Sequence, residues 1–223
     1  WTVGRIHHLL SRLELNYFYV LDWANSVVDI REQYPLLPME RTIEIAEDLG
    51  IPHPRDPETK ELTPITTDFF LKLNKEKDES FCTRTVKPSN KLTKRTVEKF
   101  AIEKKFYDEQ GIDWKIVTDQ DFPKGLVHNI EWIHNAIYLE FAPNDLDLSM
   151  IDALAETLFC ALYSTNKSLA RITNEFDKKV GLSVGSGLFL VQHMLATKQW
   201  KTDMFTKINP SKPVIFEMNR ALV

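Results

Sequence analysis

Between residues 5 and 23 apolar side chains recur at three-to-four spacing, at Ile6, Leu9, Leu10, Leu13, Tyr17, Val20 and Leu21, and this period predicts a helix. Residues 27–31 read as a short strand, and residues 39–49 as an acidic helix closed by Gly50. Pro52, Pro54 and Pro57 then exclude helix or central strand. From 65 to 73 the period drops to two: Ile65, Thr67, Phe69, Leu71 and Leu73 share one face, and Thr66, Asp68, Phe70 and Lys72 the other. A second strand, 80–87, follows the polar stretch 74–79. A hairpin centred between Glu76 and Lys77 sets Asp68 directly opposite Thr85, with Cβ atoms about 5 Å apart. Lys87 lies two residues further along that face, and Pro88 ends the strand.

A helix over 92–110 closed by Gly111, a strand over 114–118 and a helix over 124–138 come next. Strand, helix, strand is a crossover, so the expected sheet is mixed: an antiparallel hairpin with a parallel addition. Residues 141–144 suggest a boundary between domains 1–142 and 143–223. The second domain is expected to be mainly helical, with helices over 147–163, 168–179 and 182–197 before short strands over 200–205 and 213–216. Three helices and a small hairpin make a winged-helix-like shape, which serves DNA or protein binding.

With 43% hydrophobic and 27% charged residues in 223, the chain has material for a real core, which excludes wholesale disorder. The most apolar stretch, 182–196, contains Ser183, Ser186, Gln192 and His193 and is shorter than the roughly 20 residues of a membrane span. Two cysteines, Cys82 and Cys160, allow one disulfide at most and no cysteine-based zinc site, so a reducing cytoplasm is the expected setting. A first residue of Trp1 leads us to expect a piece of a longer protein. The net charge is −4: residues 1–142 carry 19 basic against 24 acidic side chains, and the remainder 9 against 8. A protein that grips DNA unaided is usually more basic, so any nucleic-acid affinity should depend partly on partners.

Asp68, position 85 and Lys87 on one hairpin face form a candidate nuclease site. Phosphodiester hydrolysis calls for a hard divalent cation, carboxylates on rigid strands bind Mg²⁺, and a neighbouring lysine orients the attacking water and offsets transition-state charge. Glu14, at the edge of the first helix's apolar stripe, is a fourth candidate. Each residue alone has an ordinary structural explanation. Their order carries the signal: helix glutamate, strand aspartate, hairpin, x-Val-Lys, helix.

At these residues the chain resembles the TnsA transposon-end endonucleases. The resemblance runs through Gly4-Arg5-Ile6-His7-His8-Leu9-Leu10-Ser11 and Leu13-Glu14-Leu15. It continues through Val28-Asp29-Ile30-Arg31-Glu32-Gln33-Tyr34-Pro35-Leu36-Leu37-Pro38, Thr67-Asp68-Phe69, Val86-Lys87-Pro88, Arg95-Thr96-Val97-Glu98-Lys99 and Asn129-Ile130-Glu131-Trp132. It implies an α/β restriction-endonuclease-like nuclease core with a mixed sheet, followed by the winged-helix-like domain. It also implies a bacterial cytosolic, nucleoid-associated subunit that cuts the 5′ strands at transposon-end DNA. A TnsB-like transposase would cut the 3′ strands, and a TnsC-like ATPase would regulate both. By position Asp68 is the metal-binding aspartate, Glu14 the helix glutamate, Lys87 the catalytic lysine and Glu103 a further acidic position, with Mg²⁺, or Mn²⁺ in its place, as cofactor.

The family usually carries Glu or Gln two residues before the lysine, whereas this chain has Thr85. Thr85 is an uncharged and poorer metal ligand. The site then works with Thr85, helped by the Val86 carbonyl, or the chain is a weakened nuclease that serves as a scaffold between transposase and ATPase. Eight basic residues, Arg84, Lys87, Lys91, Lys94, Arg95, Lys99, Lys104 and Lys105, lie between 84 and 105. Of these, Arg84, Lys91, Lys94 and Arg95 are the candidate phosphate contacts. The adjacent His7 and His8 would point about 100° apart on a helix and make no metal pair. The Gly-rich run 181–187 lacks the Lys-Ser/Thr ending of a phosphate loop and reads as the turn into the last helix.

Overall fold

The computed structural model describes residues 1–75, 78–163 and 165–219. Residues 1–122 and 123–223 form two units. The first begins with an irregular arm, followed by α1 (Arg12–Trp23), β1 (Val27–Pro35) and α2 (Met39–Asp48). It continues with β2 (Thr66–Lys75), β3 (Asp78–Val86), α3 (Lys94–Asp108) and β4 (Asp113–Val117). The strands lie in the order β1-β2-β3-β4, antiparallel except for β4, which runs parallel to β3. The mixed sheet expected from the crossover is therefore present. Its hairpin register runs from Lys75↔Asp78 to Phe69↔Arg84 and, continued, brings Asp68 level with Thr85. The expected turn at Glu76 and Lys77 lies outside the described residues.

Two cores sandwich the sheet. Phe18 and Leu21 of α1 pack with Ile30, Phe69, Leu71, Cys82, Val86 and Val117. Ile45 and Ala46 of α2 and Ile102, Phe106 and Tyr107 of α3 pack with Leu36 and Ile65. Each fully buried side chain of this size contributes about 1.5–3 kcal/mol. Helix α1 starts at Arg12, later than the periodicity suggested. Ser11 adopts an extended N-cap conformation, φ −148° and ψ 159°, and accepts the Glu14 N–H. Ahead of it the arm is held by Arg5, which donates to Glu32 at 2.7 and 2.6 Å and to the Ile30 carbonyl at 2.7 Å. Ile6 and Leu10, counted in the helical stripe from sequence, are instead 81% and 74% exposed.

The second unit contains α4 (Lys124–Ile133), α5 (Leu148–Tyr163), α6 (Leu169–Val180) and α7 (Ser186–Ala196), with β5 (Trp200–Lys201) paired to β6 (Glu217–Met218). The division falls at 122/123, where the sequence suggested 142/143, because α4 packs against α7. Fully buried Asn129 strengthens that attachment: its amide donates to the Met204 and Thr206 carbonyls and accepts the Ile208 N–H. The hairpin is shorter than expected and pairs 200–201 with 217–218, leaving Ile215 81% exposed. Nine of the eleven α7 residues are buried. The Gly-rich run forms the expected turn into α7, where buried Asp177 accepts the N–H groups of Gly185 at 2.8 Å and Gly187 at 2.7 Å. Among the described residues no disulfide forms: Cys82 is buried and Cys160 exposed. Among the described residues no helix is long and apolar enough to cross a membrane.

Candidate active site

Asp68 lies where β2 changes faces. Ile65 packs in the core beside α3, and Phe69 and Leu71 in the core beside α1. Both carboxylate oxygens of Asp68 are held. Oδ2 accepts the Val86 N–H of β3 at 2.6 Å, and Oδ1 accepts Nε2 of Gln33, from β1, at 3.1 Å. Burial pushes this carboxyl above its ordinary range and the Glu14 charge pushes the same way, while the Val86 N–H, Gln33 and Lys87 pull it back. Lys87 follows β3, its N–H donating to the Val117 carbonyl at 2.9 Å.

Glu14 is buried at the start of α1, although a carboxylate in a first turn is ordinarily solvated. Its oxygens accept the Leu10 N–H at 2.9 Å and the Ser11 hydroxyl at 2.8 Å, a capping box that fixes the side chain. The sequence reading of Glu14 missed this capping role, although Ser-x-x-Glu is its signature.

Glu103 sits in a separate buried knot. Its Oε2 accepts the Thr85 hydroxyl at 2.5 Å and the Trp114 indole N–H at 3.1 Å. Burial pushes its carboxyl up to about 8, with the Asp68 charge adding to the push and the two donors opposing it. Thr85, expected beside Asp68 as a metal ligand, points into this knot. Its hydroxyl also meets Thr67 Oγ1 at 3.3 Å and the Trp114 N–H at 3.2 Å. The structure thus places Asp68 within reach of the charges of Glu14 and Lys87, and Glu103 within reach of that of Asp68. The Thr85 hydroxyl belongs to Glu103.

The four candidate phosphate contacts divide. Lys94, at the start of α3, and Lys91, in the turn before it, are exposed. Arg84 is bound to Asp113 at 2.8 Å and to the Asp113 carbonyl at 3.0 Å, tying β3 to β4. Arg95 holds Glu98 at 3.2 Å and the Pro52 carbonyl at 2.6 Å. His7 Nδ1 lies 3.1 Å from Glu32, and its ring packs on Phe18, which accounts for it structurally. Gln33 was not singled out from sequence. Gln33 lay within a recognised motif, but no periodicity assigns its side chain to Asp68.

Among the described residues no three His, Cys, Asp or Glu side chains converge as a ready-made metal cage. The donor set still suits a hard cation of the Mg²⁺ type, which takes one or two carboxylates and completes its shell with water and substrate phosphate. Asp68 is a hard oxygen donor whose raised proton affinity, near Glu14, a cation would relieve. Each of its oxygens accepts one hydrogen bond and retains acceptor capacity.

The mixed four-stranded sheet flanked by helices fits an α/β nuclease core. A family model for the TnsA-like endonuclease N terminal matches residues 24–119, and one for the TnsA endonuclease C terminal matches residues 121–204. The chain belongs to the TnsA endonuclease family of transposition proteins. It is 32% identical over 210 residues to the transposon Tn7 transposition protein TnsA of Escherichia coli, covering 94% of this chain and 74% of that protein.

Proposed function

We propose that the chain is the divalent-metal-dependent endonuclease subunit of a heteromeric transposase and cuts the 5′ strands at transposon-end DNA. The observation that carries this reading is Asp68, clamped from β1 and β3 with the charges of Glu14 and Lys87 acting on it. Mg²⁺ or Mn²⁺, when bound, would stabilise charge on the scissile phosphate and lower the pKa of a water. Asp68 would hold the cation, with the Val86 carbonyl as a second donor. Lys87 orients the attacking water and balances the developing charge, and attack leaves a 5′-phosphate and a 3′-hydroxyl. Glu14, fixed by its capping box, sets the local field at Asp68. Glu103 and Thr85 brace the floor of the site. Lys91 and Lys94, exposed in the turn before α3 and at its first residue, take DNA phosphates, whereas Arg84 and Arg95 serve mainly as ties between elements.

The second unit we read as winged-helix-like. Nine of the eleven α7 residues are buried, so we read α7 as a core helix and not as one laid in a major groove. Sequence selection therefore falls to a TnsB-like partner that cuts the 3′ strands, under a TnsC-like ATPase, in the cytosol. One observation favours the scaffold reading: the Thr85 hydroxyl is committed to Glu103 and does not face Asp68.

The two readings separate on a metal titration of the full assembly on transposon-end DNA. The nuclease reading expects 5′-strand cutting that rises with Mg²⁺ or Mn²⁺, disappears with EDTA and needs the partner. Absence of 5′ cutting at every metal concentration, with 3′ strands cut normally, would leave the chain as a scaffold.

A further inference from the structure

One residue of β1 has a backbone foreign to a strand. Gln33 sits at φ +49°, in the left-handed region that side chains with a Cβ enter only where their surroundings hold them. Lys60 and Lys198 share that region, but both lie in connections between elements. Gln33 lies inside β1 with a paired residue on each side, Glu32 against Phe69 and Tyr34 against Thr67. The left-handed step breaks the strand's alternation. Glu32 reaches Arg5 and His7 of the arm, while Tyr34 packs on Phe70 with ring centroids 4.6 Å apart.

The amide between them is fixed at both ends. Thr66 Oγ1 donates to Oε1 at 3.3 Å, so Nε2 is presented to Asp68 Oδ1. An ionised carboxylate only accepts, which matches this orientation. With the Val86 N–H alone, the Asp68 carboxylate would be free to swing about its Cβ–Cγ bond. A second donor from the opposite flanking strand fixes its plane. A neutral amide does so without cancelling the charge that a cation needs, as an arginine or lysine would.

We propose that Gln33 is a positioning residue for the Asp68 carboxylate, and that its left-handed backbone is retained to aim the amide there. The inference rests on the nuclease reading. It is tested with Gln33→Asn, which tolerates the left-handed backbone but is one methylene too short, and Gln33→Glu, which keeps the length and replaces the donor with a like charge. In the full assembly both should cut 5′ strands roughly tenfold to a hundredfold more slowly, the effect of one lost hydrogen bond to a charged group. Cutting of 3′ strands and the DNA concentration for half-saturation should not change. Both should need more Mn²⁺ for half-maximal cutting. Binding of Mn²⁺ to the isolated protein, followed by water-proton relaxation, should weaken as well, while Gln33→Asn stays fully folded at the assay temperature.

Wild-type 5′ cutting and wild-type Mn²⁺ binding in the variants would overturn the inference alone. So would a Gln33→Asn protein that melts several degrees lower and whose lost cutting matches its lost folded fraction, since Gln33 would then be merely structural. A wild-type assembly that never cuts 5′ strands would overturn the nuclease reading and this inference together.

Discussion

Replacing Glu103 with glutamine should stabilise the protein above neutral pH. The glutamine carbonyl can accept the same bonds from Thr85 and Trp114 without carrying a charge into the knot. Burial raises the Glu103 carboxyl from 4.5 to about 8. Between those values the unfolded chain has released a proton that the folded chain keeps, so folding stability falls as pH rises. The loss is complete once pH passes the folded value, and it is absent below the unfolded one. At about 1.36 kcal/mol per pH unit, the shift corresponds to roughly 5 kcal/mol at its upper bound. Urea unfolding of wild type and Glu103→Gln in EDTA, at a series of pH values spanning the shift, measures it, and the difference cancels the titrating groups that do not interact with Glu103. The variant's advantage should grow from near zero at the acidic end to several kcal/mol near pH 8, then level off. A difference that stays constant with pH, or one that favours wild type increasingly, would refute the burial argument.

Asn129→Leu should cost roughly 3–5 kcal/mol, because two carbonyls and one N–H of the 204–208 segment lose their partner in a buried site; a melting curve reads this. Gly125→Ala should also lower the melting temperature. Its Cβ would lie 1.9 Å from the Phe205 carbonyl oxygen, a backbone atom that cannot turn aside. Burial opposes ionisation of Glu32, but Arg5, the His8 N–H and His7 outweigh it and hold the carboxyl down to about 2. That interaction is present above the ordinary glutamate range and is lost as pH falls through the folded value. Arg5→Ala should therefore expose the arm before α1 to limited proteolysis at neutral pH, and wild type should show the same cleavage only in strong acid.

The switch of β2 between cores at Asp68, which sets Ile65 and Phe69 in different cores, was not legible, but the strands and the hairpin register followed from period-two runs and one turn. Asp68 came level with Thr85 on that basis alone. The arm was not legible. Ile6, Leu9 and Leu10 mimic a helical stripe, but the long-range grip of Glu32 on Arg5 holds the arm out of the helix, and Ser11 caps α1. Register places backbones, whereas partners aim side chains: Thr85 turned toward Glu103 because a buried carboxyl needs a donor. The division at 122/123 was hidden for a similar reason. Nothing local marks α4 as part of the second unit, and its attachment depends on Asn129 reaching residues more than seventy positions away. The last hairpin was misplaced because the apolar run at 213–216 looks like a strand, yet the pairing lies at 217–218.

If Asp68 is the residue through which this chain cuts DNA, strand-resolved cleavage of a transposon-end duplex by the assembled complex in Mg²⁺ or Mn²⁺ should separate wild type from Asp68→Ala. The wild-type complex should cut both strands, and the variant should lose 5′-strand cutting while the partner's 3′-strand cutting persists. Undiminished 5′ cutting by Asp68→Ala would contradict that role.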